Sequence, residues 1–212
     1  LVVLLGVFCG IYSFYYSSIM SFMRNWYNSM TGPWIKNIVS GTILSILVFI
    51  FPVLYGEGYN FMSDLLAGHT EDITSYSLFA NNWNNIPATI LIAFGIIAIK
   101  AFACASTNSG GGVAGDFAPT LMAGCVAGFF FAQLLNTTFG LTLPVADFAF
   151  IGMGSVMAGA IRAPFMSIFI TVEMAQAYPL MLPVAIAAAT SYLLVLCLRK
   201  LCHLPSSLPG TY

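Results

Sequence analysis

The chain has 212 residues, 59% of them hydrophobic and only 6% charged, with a formal net charge of −1. A water-facing surface uses about a quarter charged residues, so this composition excludes a soluble domain, and the near-neutral charge argues against nucleic acid as a partner. Several apolar runs approach the ~20 residues of a bilayer span without the alternation of a transmembrane β-barrel, so the expected fold is an all-α polytopic membrane protein.

The first apolar run extends from Leu1 to about Met23, with Gly6, Gly10 and Ser13 as small residues that suit helix packing in lipid. It opens without a Met, a charged leader or a cleavage site, so it reads as a span of a chain that continues upstream rather than as a signal peptide. Arg24 follows, then a loop with Gly32-Pro33 and Lys36, then a second run from about Ile38 to Tyr55. A polar stretch from Gly56 to Asn85 carries Glu57, Asp64, Glu71 and Asp72 and no Lys or Arg. The third run, Ile86 to Cys104, has Lys100 near its end, where snorkelling to the interface and an anion-attracting field are both open roles.

Next comes Ser109-Gly-Gly-Gly-Val-Ala-Gly-Asp-Phe-Ala-Pro119. Glycines do not hold a helix well, and unwound backbone at membrane depth must be buried in protein or line a cavity. A second helix is expected to start at Pro119, which suits a first turn. Its unpartnered N–H groups and positive dipole end favour anions. A sharp turn with close helix packing is the plainer alternative. Leu121–Leu135, Phe148–Ile161 and Phe165–Ala177 are all short, as in the broken helices around midplane ion sites. Pro179–Leu198 is the last run, closed by Arg199 and Lys200. The basic loop Arg24–Lys36 and the basic end Arg199–Lys200 are expected on the cytoplasmic side, and the acidic stretch outside. Trp26, Trp34 and Trp83 flank spans as interface anchors.

Little suggests an enzyme or a metalloprotein. Cys9, Cys104, Cys125, Cys197 and Cys202 form no Cys-x-x-Cys pair, and His69 and His203 lie away from any ligand cluster. Buried free thiols are expected, with no metal. Ser109 and Ser155 sit near glycines as nucleophiles might, but no histidine falls in an apolar run to pair with them. No catalytic residue is assigned.

A second motif, Gly152-Met-Gly-Ser-Val-Met-Ala-Gly-Ala-Ile-Arg-Ala-Pro164, precedes Glu173-Met174 and Tyr178-Pro-Leu-Met-Leu-Pro183. Together the two motifs resemble the CLC family of chloride channels and chloride/proton exchangers. Gly115-Asp-Phe-Ala-Pro119 matches that family's Gly-x-Phe-x-Pro anion signature. The stretch Gly152–Pro164 with Glu173-Met174 is similar to the helix pair that follows it. Leu5-Gly6 and Gly56-Glu-Gly-Tyr59 are similar to the start of the same half.

The resemblance implies that residues 1–200 form the second inverted repeat of a CLC-type transport domain, with 201–212 an unmatched tail. It implies a multi-pass protein of the cell membrane, a homodimer through its last two helices, that moves small inorganic anions, chloride foremost, as a channel or anion/proton antiporter. The anion is cargo, and no cofactor is implied. Gly115, Asp116, Phe117, Ala118 and Pro119 would form the anion-binding wall, with Lys100 tuning it and Arg162 and Glu173 structural. The family's serine signature, gating glutamate and proton glutamate belong to the first repeat and do not occur here. The tail does not match the family's tyrosine helix, so that role is not carried to Tyr212. This stretch alone is therefore not expected to transport, and a non-transporting dimerisation half is the alternative. Asp116 is the oddity: a carboxylate ~4 Å from an anion would repel it by about 4 kcal/mol at an effective dielectric of 20. Capping the helix start, protonation by burial and proton-linked tuning of affinity remain open for it.

Overall fold

A computed structural model describes residues 1–30, 32–55, 58–66, 86–112 and 115–202. His69, Trp83, most of the acidic stretch, Val113-Ala114 of the glycine-rich break and the tail from His203 to Tyr212 lie outside the described residues. The elements are α1 (Val2–Asn28), α2 (Pro33–Ile50), α3 (Tyr59–Leu66), α4 (Ile86–Ser109), α5 (Phe117–Phe139), α6 (Val145–Ile161), α7 (Pro164–Ala175) and α8 (Met181–Leu201). Single 3-10 turns at Pro52–Leu54 and Tyr178–Leu180 follow α2 and precede α8.

Among the described residues, four helical stretches are long and apolar enough to cross a membrane: Val2–Asn28, Thr89–Ser109, Phe117–Phe139 and Tyr178–Leu201. The protein is a multi-pass integral membrane protein built from helices. Its exterior is apolar, with Phe22, Ile38 and Phe49 exposed, as befits a lipid-facing boundary. Many of its polar side chains point inward: Ser13, Ser17, Ser106, Ser155, Ser167 and Ser191 are buried, as are Tyr12, Tyr16 and Tyr27.

Small residues set the helix crossings. Gly6 lies against Thr190 and the Ala187 carbonyl, and Gly10 against Ser191 and Leu194, so α1 and α8 run parallel. The Ser13 hydroxyl donates to the Val156 carbonyl at 3.0 Å and ties α1 to α6. The tightest crossing joins α5 and α6, which run antiparallel. A Cβ added at Gly124 would come within 2.8 Å of Met153 Cα, and one at Gly128 within 2.8 Å of Ala149 Cα. With no hydrophobic drive between helices in lipid, such backbone-to-backbone approach supplies the packing that holds them.

The basic groups fall as the charge pattern predicts. Because α1 and α8 are parallel, Arg24 and Arg199-Lys200 share one end of the bundle. Asn37 and Ser40 of α2 meet Gly110 and Gly111 after the end of α4, which brings Lys36 to the same side. Two helix bounds differ from expectation. The run anticipated as Leu121–Leu135 is a helix of 23 residues, Phe117–Phe139, long enough to span. Its polar end stays helical because Thr137 and Thr138 bond back to carbonyls four residues earlier and Asn136 pairs with Leu143. Of the three runs expected to be short, α6 and α7, with 17 and 12 residues, are so.

Candidate anion site

The place of the α5 start within the bundle follows from three contacts. The Tyr12 hydroxyl donates to the Ile97 carbonyl at 3.0 Å, and Tyr27 pairs with Ser106 at 2.9 Å, so α1 and α4 run parallel. Phe8 stacks on Phe130 at a centroid distance of 5.9 Å, whereas Tyr16–Met20 face Asp116–Thr120, so α5 runs antiparallel to α1. The start of α5 therefore lies near the middle of α1. Roughly 15 Å of α1 continues past it at 1.5 Å per residue.

The break itself is built from the end of α4. Gly110 N–H and Gly112 N–H bond to the Ser106 and Thr107 carbonyls at 2.9 and 3.0 Å. Gly111 takes φ 101, a left-handed conformation that glycine adopts without strain. The second helix begins at Phe117, two residues before the expected start at Pro119. Pro119 sits inside the first turn, where its missing N–H loses no helical bond. The first ladder bond runs from Thr120 N–H to the Asp116 carbonyl at 3.2 Å. The Phe117 and Ala118 amides precede it, and the Thr120 hydroxyl closes on the Asp116 and Phe117 carbonyls at 2.8 Å. Donors thus lead the helix while its nearest acceptors are occupied.

A cavity of about 510 Å³ opens in front of this turn. Gly115, Phe117, Ala118 and Pro119 form one wall, and Lys100, Cys104 and Thr107 of α4 form another, with Leu44, Tyr55 and Tyr59 opposite. Lys100 is only 3% exposed. Of the two roles left open for it, snorkelling does not fit its burial: α4 continues through Ser106–Ser109, so Lys100 lies well inside the helix and between the rungs made by Tyr12 and Tyr27. No ion pair joins Lys100 to a carboxylate among the described residues. A second cavity of about 380 Å³ is lined by Tyr16, Ser17, Ser21, Arg24, Asp116 and Thr120 among others. Phe117 borders both.

Asp116 stands at the N-cap of α5 but its side chain does not cap it. Its carboxylate turns back to α4, where the Asn108 side-chain amide donates to Oδ1 at 2.5 Å and the Cys104 thiol approaches at 3.6 Å. The capping role is overturned. Asn108 is the neighbour that sequence reading missed, and its spacing from Asp116 across an unwound segment carried no periodic signal.

The remaining assigned residues lie elsewhere. Arg162 closes α6 with φ 63 and precedes the turn into α7. Glu173 is in the last turn of α7 and accepts the Tyr178 hydroxyl at 2.9 Å, fixing the turn into α8. Ser155 is fully buried and bonds to its own helix at Ile151. Cys9, Cys104 and Cys125 are buried free thiols, whereas Cys197 and Cys202 are exposed. Among the described residues no group of His, Cys, Asp and Glu could hold a metal ion.

A helix N-terminus and a buried cation around one cavity, within a bundle of apolar helices, is an arrangement that membrane transport proteins use for ions. The family model for voltage gated chloride channels matches residues 1–196, and the chain belongs to that family. A chloride channel protein of ClcB-like description from Ralstonia nicotianae is 28% identical over 155 residues, covering 73% of this chain and 32% of the relative. The chain thus spans about a third of that relative's length. The family is one of chloride channels and transporters rather than enzymes.

Proposed function

We propose that the protein carries small inorganic anions across the membrane, chloride foremost, and that the anion rests before the first turn of α5. The observation that carries this reading is the cavity shared by buried Lys100 and the Phe117–Ala118 turn. Amides and a helix dipole replace part of the ion's hydration. Lys100 adds a positive field from within the wall. Held mainly by backbone groups, the ion is bound strongly enough to enter and weakly enough to leave. Gly115 leaves room at the approach, since nothing lies within 4 Å of where its side chain would be.

This chain supplies the side of the site built from α2, α4 and α5, as the second inverted repeat. The first repeat of the same polypeptide closes the site and supplies the groups that decide between channel and anion/proton antiport. Two copies pair through α7 and α8. The exposed Phe165, Phe169, Leu182 and Leu193 on these helices support that interface.

Chloride flux from liposomes tests the reading. Full-length protein is expected to release chloride, and Lys100→Met protein, equally expressed, to release far less. The 212-residue stretch alone is expected to release none. Full-length protein that inserts and dimerises but passes no anion would favour a purely structural, dimerising half.

A further inference from the structure

We propose that Asn108 is a positioning residue of the anion site: its amide holds the Asp116 carboxylate against α4 and keeps it off the α5 amides. The inference rests on the anion-site reading above.

An aspartate at a helix N-cap ordinarily accepts the N–H of the second or third helical residue. At α5 the third residue is Pro119, which has no N–H, so that bond would fill the Ala118 amide, a donor meant for the anion, with a charge of the same sign. Asp116 makes no such bond, and its backbone, at φ −81 and ψ −6, is not in the extended conformation that side-chain caps adopt. Its Oδ1 instead accepts Asn108 Nδ2 at 2.5 Å and faces Cys104 Sγ at 3.6 Å. Asn108 Nδ2 also reaches Cys104 Sγ at 3.8 Å. The Asn108 carbonyl oxygen is buried with no partner among the described residues. A buried acceptor left unsatisfied is costly, so the carboxylate, which needs the donor end, fixes the amide's orientation. The consequence appears in the cavities. Asp116 borders the one with Tyr16 and Arg24, Gly115 and Ala118 border the one with Lys100, and Phe117 borders both. The carboxylate and the Ala118 donor thus line different cavities.

Calorimetric chloride titration of the full-length protein tests this with Asn108→Ala, Asp116→Ala and the double variant. Asn108→Ala frees the carboxylate to cap, and chloride affinity is expected to fall about five- to tenfold, the worth of an N-cap bond of ~1 kcal/mol. Asp116→Ala is expected to bind chloride more tightly than wild type, and the double variant to match Asp116→Ala. A merely structural asparagine would not be rescued in that way. Asn108→Asp preserves the side chain's shape but repels Asp116, so it is expected to weaken chloride as Asn108→Ala does. Equal weakening by Asn108→Ala with and without Asp116, or none in either, overturns the proposal. Bromide diffraction on the wild type separates the failures. Bromide at α5 with an indifferent Asn108→Ala sinks the positioning role alone, whereas its absence there sinks the site and the positioning role together.

Discussion

Lys100 and Phe117 border the same cavity, one from the buried face of α4 and the other from the first turn of α5. The glycine-rich break makes this possible by folding α5 back so that its N-terminus meets the helix it left. A fixed cation and a helix dipole then act on one small volume, which an unbroken helix could not arrange.

Lys100→Met is expected to weaken chloride binding roughly tenfold or more. A unit charge ~8 Å from the ion contributes about 2 kcal/mol at an effective dielectric of 20. Lys100→Arg is expected to retain most of the affinity. Calorimetry on both variants, with thermal stability measured alongside, separates loss of field from loss of fold. The Met variant is also expected to melt no lower than wild type, because it removes a buried charge that has no carboxylate partner among the described residues.

Packing of α5 on α6 gives a second expectation. Gly128→Ala places a methyl on the Phe148 carbonyl and within 2.8 Å of Ala149 Cα. Backbone cannot swing aside as a side chain would, so destabilisation of about 3 kcal/mol is expected, at the upper end for overpacking. Gly41→Ala in α2 is the contrast, since nothing lies within 4 Å. There the loss of unfolded-state freedom stabilises by about 0.5–1 kcal/mol. Thermal unfolding in detergent reads both.

Tyr27→Phe removes the hydroxyl that pairs with Ser106 at 2.9 Å near the end of α4. An interhelical hydrogen bond in a membrane protein is worth about 0.6 kcal/mol, so a small loss of stability is expected with little change in chloride affinity. A large loss of affinity would mean that this contact sets the position of the break rather than merely steadying it.

Glu173→Gln tests the structural assignment of that carboxylate. Its contact is with Tyr178 at the turn between α7 and α8, away from both cavities. Chloride flux is expected to stay near wild type. A collapse of flux in well-folded protein would give Glu173 a part in transport.

Much of this was legible in the sequence because it rests on local chemistry. Gly6, Gly10 and Ser13 announced a packed face, and each touches another helix. The basic clusters announced one end of the bundle. The glycine run and Pro119 announced a broken helix, misplaced only by the two residues between Phe117 and Pro119. Lys100 was harder. Ser106–Ser109 looks like a polar exit from the membrane, yet Thr107 and Ser106 satisfy their hydroxyls within the bundle, at Ala103 and Tyr27, and the helix continues. The Asn108–Asp116 pair was illegible, because one residue ends α4 and the other begins α5, and no helical periodicity links them.

The most direct measurement is anomalous diffraction from crystals of the full-length protein grown in bromide. A peak is expected within hydrogen-bonding distance of the Phe117 amide, on the side of the cavity that Lys100 lines. Bromide bound elsewhere in the protein, with that position empty, would contradict this placement of the anion.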